Sequence, residues 1–73
     1  MWKKYQGRYR MLAWARMRSS MVRISVRDGY LSCNGMRCFE FEPGLFFTYN
    51  GEALDFRGTI PTFRNIMIIR SDG

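Results

Sequence analysis

Punctuation constrains this chain more than any other feature. Four turn dipeptides follow one another between residues 28 and 51: Asp28-Gly29, Asn34-Gly35, Pro43-Gly44 and Asn50-Gly51. Asp-Gly and Asn-Gly favour type I′ hairpin turns, which need φ > 0 at both central residues. Pro-Gly suits a type II turn. Turns this closely spaced leave little room for helices between residues 22 and 56, and they describe an antiparallel meander. The expected fold is all-β or mainly β, with five to six short strands in a curled sheet or small barrel. One domain spans residues 1–73, with residues 1–7 as a mobile arm or a short helical turn.

Alternation of side chains extends the meander toward the N-terminus. Tyr9, Met11, Ala13, Ala15 and Met17 occupy odd positions. Arg8, Arg10, Leu12, Trp14, Arg16 and Arg18 occupy even ones, and four of those six are basic. This is the period of a strand rather than of a helix. Val22, Ile24 and Val26 alternate in the same way with Arg23, Ser25 and Arg27. With Ser19-Ser20 as a two-residue loop, Met17 faces Val22, Ala15 faces Ile24 and Ala13 faces Val26. With Asp28-Gly29 as the next turn, Val26 faces Leu31 and Ile24 faces Cys33. Both turns give one apolar face, which a one-residue slip would invert. Further on, Asn34-Gly35 pairs Leu31 with Cys38 and Cys33 with Met36. Pro43-Gly44 pairs Phe41 with Phe46, and Asn50-Gly51 pairs Phe47 with Leu54. A β-bulge near Phe39-Glu40-Phe41 would keep carboxylates out of the core. Residues 64–70 read as a final strand, with a short helix starting at Thr62 as the alternative.

Composition decides whether such a sheet has a core. The chain is 47% hydrophobic and 16% aromatic, which excludes a disordered polymer. Domains of this size bury only about 60% of their unfolded surface, so stability is expected to be marginal. The longest purely apolar run, Ile66-Met67-Ile68-Ile69, is far too short to span a bilayer as a helix. Arg8, Arg10, Arg16 and Arg18 interrupt any apolar leader. Two cysteines are too few to staple a small domain, so a cytoplasmic monomer with free thiols is expected.

Charge is segregated. The net charge is +6, and residues 1–27 hold eight basic residues and no acid. The rest of the chain holds four arginines and all six acids. A basic field of this kind raises encounter rates with polyanions or acidic protein surfaces.

Catalytic chemistry finds little support. The absence of histidine excludes Ser-His-Asp and Cys-His arrangements, and no glycine-rich phosphate loop is present. Cys33 and Cys38 lack the two further ligands of a structural zinc site and read as core thiols. Glu40 and Glu42 would project about 7 Å apart from one strand face. Such a carboxylate pair suits acid–base work, yet a Glu-Pro-Gly turn equally suits exposed acids paired with arginine. Arg16, Arg23, Tyr30 and Glu40 would be the working set of a histidine-free ribonuclease, the second alternative. No catalytic residue, metal ligand or cofactor site is assigned, and the chain reads as a non-enzyme.

The outward row is the stronger lead. In the expected register Arg16 sits opposite Arg23, Leu12 opposite Arg27 and Trp14 opposite Ser25. Like charges directly across a strand pair are destabilising, and arginine and tryptophan are enriched at binding hot spots. The candidate partner-binding residues are Arg8, Arg10, Leu12, Trp14, Arg16, Arg18, Arg23 and Arg27. Burial of Trp14 beneath the arm or the far wall is the structural alternative. An acidic protein surface suits the guanidinium forks. Phe39, Phe41, Phe46, Phe47 and Phe56, read as core or apolar interface, point the same way. An RNA- or single-stranded-DNA-binding barrel is the alternative.

In size, charge layout and β character the chain resembles small phage-encoded host-takeover proteins. It looks most like regulators that bind host RNA polymerase, and inhibit initiation by dislodging the sigma factor or promote antitermination. The resemblance implies a protein–protein regulator of transcription in the host cytoplasm, with the Arg8–Arg27 face as its contact surface. Phage proteins that mimic DNA carry acidic surfaces, the opposite sign to this chain.

Overall fold

The computed structural model describes residues 2–12 and 21–71. Eight short strands follow in chain order: β1 (Gly7–Met11), β2 (Met21–Arg27), β3 (Tyr30–Cys33), β4 (Met36–Glu42), β5 (Leu45–Thr48), β6 (Ala53–Asp55), β7 (Thr62–Phe63) and β8 (Ile66–Arg70). Each pairs antiparallel with the next, and β1 pairs with β8, so the meander closes into a barrel. The expected small β-barrel is therefore what forms, with more and shorter strands than five or six.

The turns explain most of the register. Asp28 and Gly29, and likewise Asn34 and Gly35, adopt positive φ at both central positions, the type I′ geometry whose twist matches the flanking strands. Val26 faces Leu31, Ile24 faces Cys33, and Leu31 faces Cys38, as expected. The bulge also forms, between Glu40 and Glu42. Residues 62–70 form β7 and β8, joined at Arg64 and Asn65, which both adopt positive φ. No helix begins at Thr62.

Six expected pairings are corrected. Phe41 does not face Phe46; the bulge leaves Glu40 opposite Phe46 and Glu42 opposite Leu45, with Phe41 extruded between them. Phe47 faces Ala53, and Phe46 faces Leu54. The cause is a three-residue loop, Tyr49-Asn50-Gly51, closed by a Gly51 N–H to Thr48 carbonyl bond of 2.9 Å. Only Gly51 has positive φ there, which is the type I turn plus bulge of three-residue hairpins. The largest correction concerns β1. Tyr9, not Met17, faces Val22; Gly7, not Ala15, faces Ile24; and Arg8, not Arg16, faces Arg23. Leu12 is not opposite Arg27, for its N–H bonds the Met67 carbonyl at 2.8 Å. The register moves by eight residues. An even shift keeps the same side chains inward, so alternation alone cannot detect it. The Ser19-Ser20 loop, the strand positions Ala13 to Arg18 and their cross-strand partners lie outside the described residues.

The barrel interior is filled with side chains, as small barrels require. Phe46, Ile24, Leu31, Leu54, Ile68, Val22 and Cys33 are almost wholly enclosed. Both thiols are buried and free, and a hydrogen bond to Cys38, with burial, pushes the Cys33 thiol well up from its ordinary range. Aromatic rings close one end. Tyr5 stacks on Phe56 with centroids 4.0 Å apart, and Trp2 meets Phe46 edge-on at 5.4 Å. The expected arm is thus a short 3-10 turn, Lys3–Tyr5, packed on the core. Its carbonyls are held by Arg70, whose guanidinium donates to Lys4 and Gln6 oxygens at 2.7 Å. The Gln6 side-chain oxygen accepts from the Val26 N–H at 2.9 Å. No described helix is long and apolar enough to cross a membrane.

Candidate binding face

Outward positions on β1 to β4 form one surface. Directly opposite residues in an antiparallel pair share a side of the sheet, so the strand register fixes the rows. Arg8 and Arg23 form one row. Ser25, Ser32 and Arg37 form the next, across β2, β3 and β4. Arg27 faces Tyr30 in a third row, and Phe39 faces Phe47 on β4 and β5. Arg10 lies further along β1, opposite Met21.

The floor of this surface is small and polar, and its walls are cationic. Between β2 and β3 lies an open hollow of about 590 Å³, lined by Arg23, Ser25, Arg27, Tyr30, Ser32 and the Asn34-Gly35 turn. A second hollow of about 380 Å³ shares Arg23, Ser25 and Arg27 and extends to Gln6 and Arg8. The two serines cause the depression, because their side chains are short between longer arginine and tyrosine neighbours.

Arg37 shapes the rim. Its guanidinium carbon lies 4.9 Å from the Tyr30 ring centroid and 5.0 Å from that of Phe39. Those distances are within cation–π range. Phe39 is 51% exposed and Phe41 is 73% exposed. Phe41 rests edge-on against Phe47 at 5.9 Å, so the bulge turns an inward-alternating strand into an outer aromatic patch.

Acids are elsewhere. Arg57 donates to Glu42 at 2.6 Å and to Asp55 at 2.9 Å, and Arg64 meets Glu52 at 3.2 Å. Hydrogen bonds from Arg57 hold the Asp55 carboxyl below its usual range. Arg10, Arg23 and Arg27 enter no ion pair among the described residues. Asp28, in the β2–β3 turn, is the sole acid in residues 7–12 and 21–35.

Of the eight expected partner-binding residues, the structure brings together Arg8, Arg10, Arg23 and Arg27. Leu12 follows β1 and is 45% exposed. Trp14, Arg16 and Arg18 lie outside the described residues. Tyr30, Ser32, Arg37 and Phe39 complete the surface and were absent from the expected set. Their signal was available: once Leu31 faces Cys38, Ser32 faces Arg37 outward. Of the five phenylalanines expected as core or apolar interface, Phe39 and Phe41 are exposed and do not belong to the core. Phe46 alone of the five is fully buried, while Phe56 packs partly on the core.

The carboxylates do not converge with the basic face. Glu40 lies opposite the inward Phe46 and its Oε2 accepts from the Gly44 N–H at 3.4 Å. Arg23 and Tyr30 alternate to the other side of the wall from Phe46, and Arg16, the fourth residue of the ribonuclease set, lies outside the described residues. Glu42 is tied to Arg57 beyond the bulge, which separates it from Glu40. Among the described residues no group of three or more potential ligands could hold a metal ion. Comparison with family models, curated proteins and solved structures finds no match to this chain.

Proposed function

We propose that this protein is a non-enzymatic binding module whose basic outer face, on β1 to β3, docks an anionic macromolecule. The observation that carries the reading is Arg23 and Arg27 on one outward strand face with no acid paired to them among the described residues.

Two partner classes fit a cationic wall. Bacterial RNA polymerase is the protein candidate to which the resemblance points, and binding at an acidic patch there would inhibit or redirect transcription. Exposed Phe41, edge-on to half-buried Phe47, favours this protein reading by offering an apolar contact on the same barrel. Against it, Arg37 is interleaved with Tyr30 and Phe39 in the manner of a nucleic-acid face rather than a purely greasy one.

Retention on an immobilised polyanion tests the shared premise. Arg23→Glu with Arg27→Glu should abolish retention at low salt and leave thermal unfolding unchanged. Full retention by that folded variant would reject the face. Co-purification of RNA polymerase from nuclease-treated bacterial lysate, lost in the same variant, would establish the protein reading.

A further inference from the structure

We infer that the outer wall of β2 to β4 takes unpaired nucleic acid, with Tyr30, Arg37 and Phe39 stacking bases and Arg23 and Arg27 holding phosphates. This rests on the basic-face reading above and names its partner. The first argument is the order of chemistry along the wall. Arg27 faces Tyr30, Arg37 lies over both Tyr30 and Phe39, and Phe39 faces Phe47. Neighbouring strands lie about 4.8 Å apart, so the run from β2 to β5 crosses roughly 14 Å of rigid sheet. Planar cation and planar rings alternate over that span. Bases stack on aromatic faces and on guanidinium planes alike.

The second argument is the hollow beside this row. Its Ser25 and Ser32 floor supplies hydroxyls that donate or accept, and Arg23 and Arg27 flank it. A nucleotide offers a flat base, a hydroxylated sugar and an anionic phosphate in fixed succession. Aromatic rim, serine floor and arginine wall match that succession. An acidic peptide offers carboxylates to the arginines, but no flat rings to Tyr30, Arg37 and Phe39.

Duplex is disfavoured by the same geometry. Its bases are already stacked on each other, and its major groove admits a helix or a two-stranded ribbon rather than the wall of a barrel. Against duplex the aromatic row would be idle. The row is also pre-organised. Tyr30, Arg37 and Phe39 stand on paired strands, and Arg37 is held by both rings before any ligand arrives.

The test is fluorescence anisotropy with the whole chain and four labelled probes: a uridine oligonucleotide, an abasic oligodeoxynucleotide and a blunt duplex of equal length, and polyglutamate. The uridine strand should bind at least tenfold more tightly than the abasic one, reflecting a stacked base. Phe39→Ala and Arg37→Lys should each bring the uridine strand down to the abasic level. Arg37→Lys keeps the charge and removes the plane, so its abasic affinity should be unchanged. Circular dichroism confirms that each variant retains its sheet. Equal binding of uridine and abasic strands would overturn the stacking inference and leave the basic face standing. Polyglutamate bound where neither strand binds would overturn it in favour of an acidic protein. Failure of every polyanion would remove both readings.

Discussion

The two sides of this barrel handle charge in opposite ways. On the β4–β8 side, Arg57 is clasped by Glu42 and Asp55, and Arg64 by Glu52. On the β1–β3 side, Arg10, Arg23 and Arg27 project without an acid among the described residues. The aromatic rings divide as well, with the exposed pair on β4. Trp2, Tyr5, Phe46 and Phe56 pack on one another at the barrel end, whereas Phe39 and Phe41 face solvent. One side holds the fold together, and the other leaves the same residue types available. The difference teaches that residue type alone does not set the proposed binding surface apart; what sets it apart is that Arg10, Arg23 and Arg27 enter no ion pair among the described residues.

Four measurements would break or sharpen that contrast. Truncating a ring on the packed side should have the largest effect. Phe46→Ala is expected to cost about 3–5 kcal/mol in chemical denaturation, because Phe46 is fully enclosed. Phe39→Ala should change stability by no more than about 0.5 kcal/mol, and equal losses would erase the division of the aromatics. Next, Arg23→Ala with Arg27→Ala should make the logarithmic salt slope of single-strand binding shallower by about 1.4, at roughly 0.7 per phosphate. Arg57→Ala should leave that slope unchanged, and a matching change would show that both sides bind. A smaller effect is expected at the β7–β8 turn, where Arg64 and Asn65 sit at φ 57° and 66°. Asn65→Gly should raise stability by about 0.5–1 kcal/mol in the same denaturation assay, since glycine visits this region without the steric cost other residues bear.

The smallest concerns pH. The Asp55 carboxyl is held below its usual range by hydrogen bonds from Arg57. Its stabilising contribution is therefore present above the ordinary aspartate pKa near 3.9. It is lost as pH falls through the lower folded value. Asp55→Asn should melt slightly below the parent at pH 7 and level with it once the pH lies below the lowered folded value. A gap that persisted in acid would mean that Asp55 acts by something other than its charge.

Legibility in the sequence followed the turns. From Val22 to Cys38 the register was readable because Asp28-Gly29 and Asn34-Gly35 each specify a two-residue loop and a strand twist. Where the turn was ambiguous, so was the register. Asn50-Gly51 served as the end of a three-residue loop, and Phe47 moved by one partner. Ser19-Ser20 carries no backbone preference of comparable strength, and β1 was placed eight residues away from its real partners. The β1–β8 pairing crosses the whole chain with no turn to announce it. Arg64-Asn65 went unread because arginine rarely occupies a positive-φ position. For the candidate face, alternation identified Arg8, Arg10, Arg23 and Arg27 even with the register wrong, since the shift was even. Arg37 lies outside the acid-free first third, so charge segregation does not mark it, although its place opposite Ser32 follows from the turns. Phe41 was hidden because locating a bulge does not say which side chain it expels.

Closure of the barrel has a further consequence. With β1 zipped to β8 through Tyr9–Arg70, Arg10–Ile69 and Met11–Ile68, the described sheet exposes no unpaired strand margin. Another polypeptide cannot join by donating a ribbon to its edge, and identical copies cannot propagate by stacking end-on. Unzipping one of the barrel's seams, rather than any event on the outer wall, is the step that would expose a ribbon edge able to template fibrils.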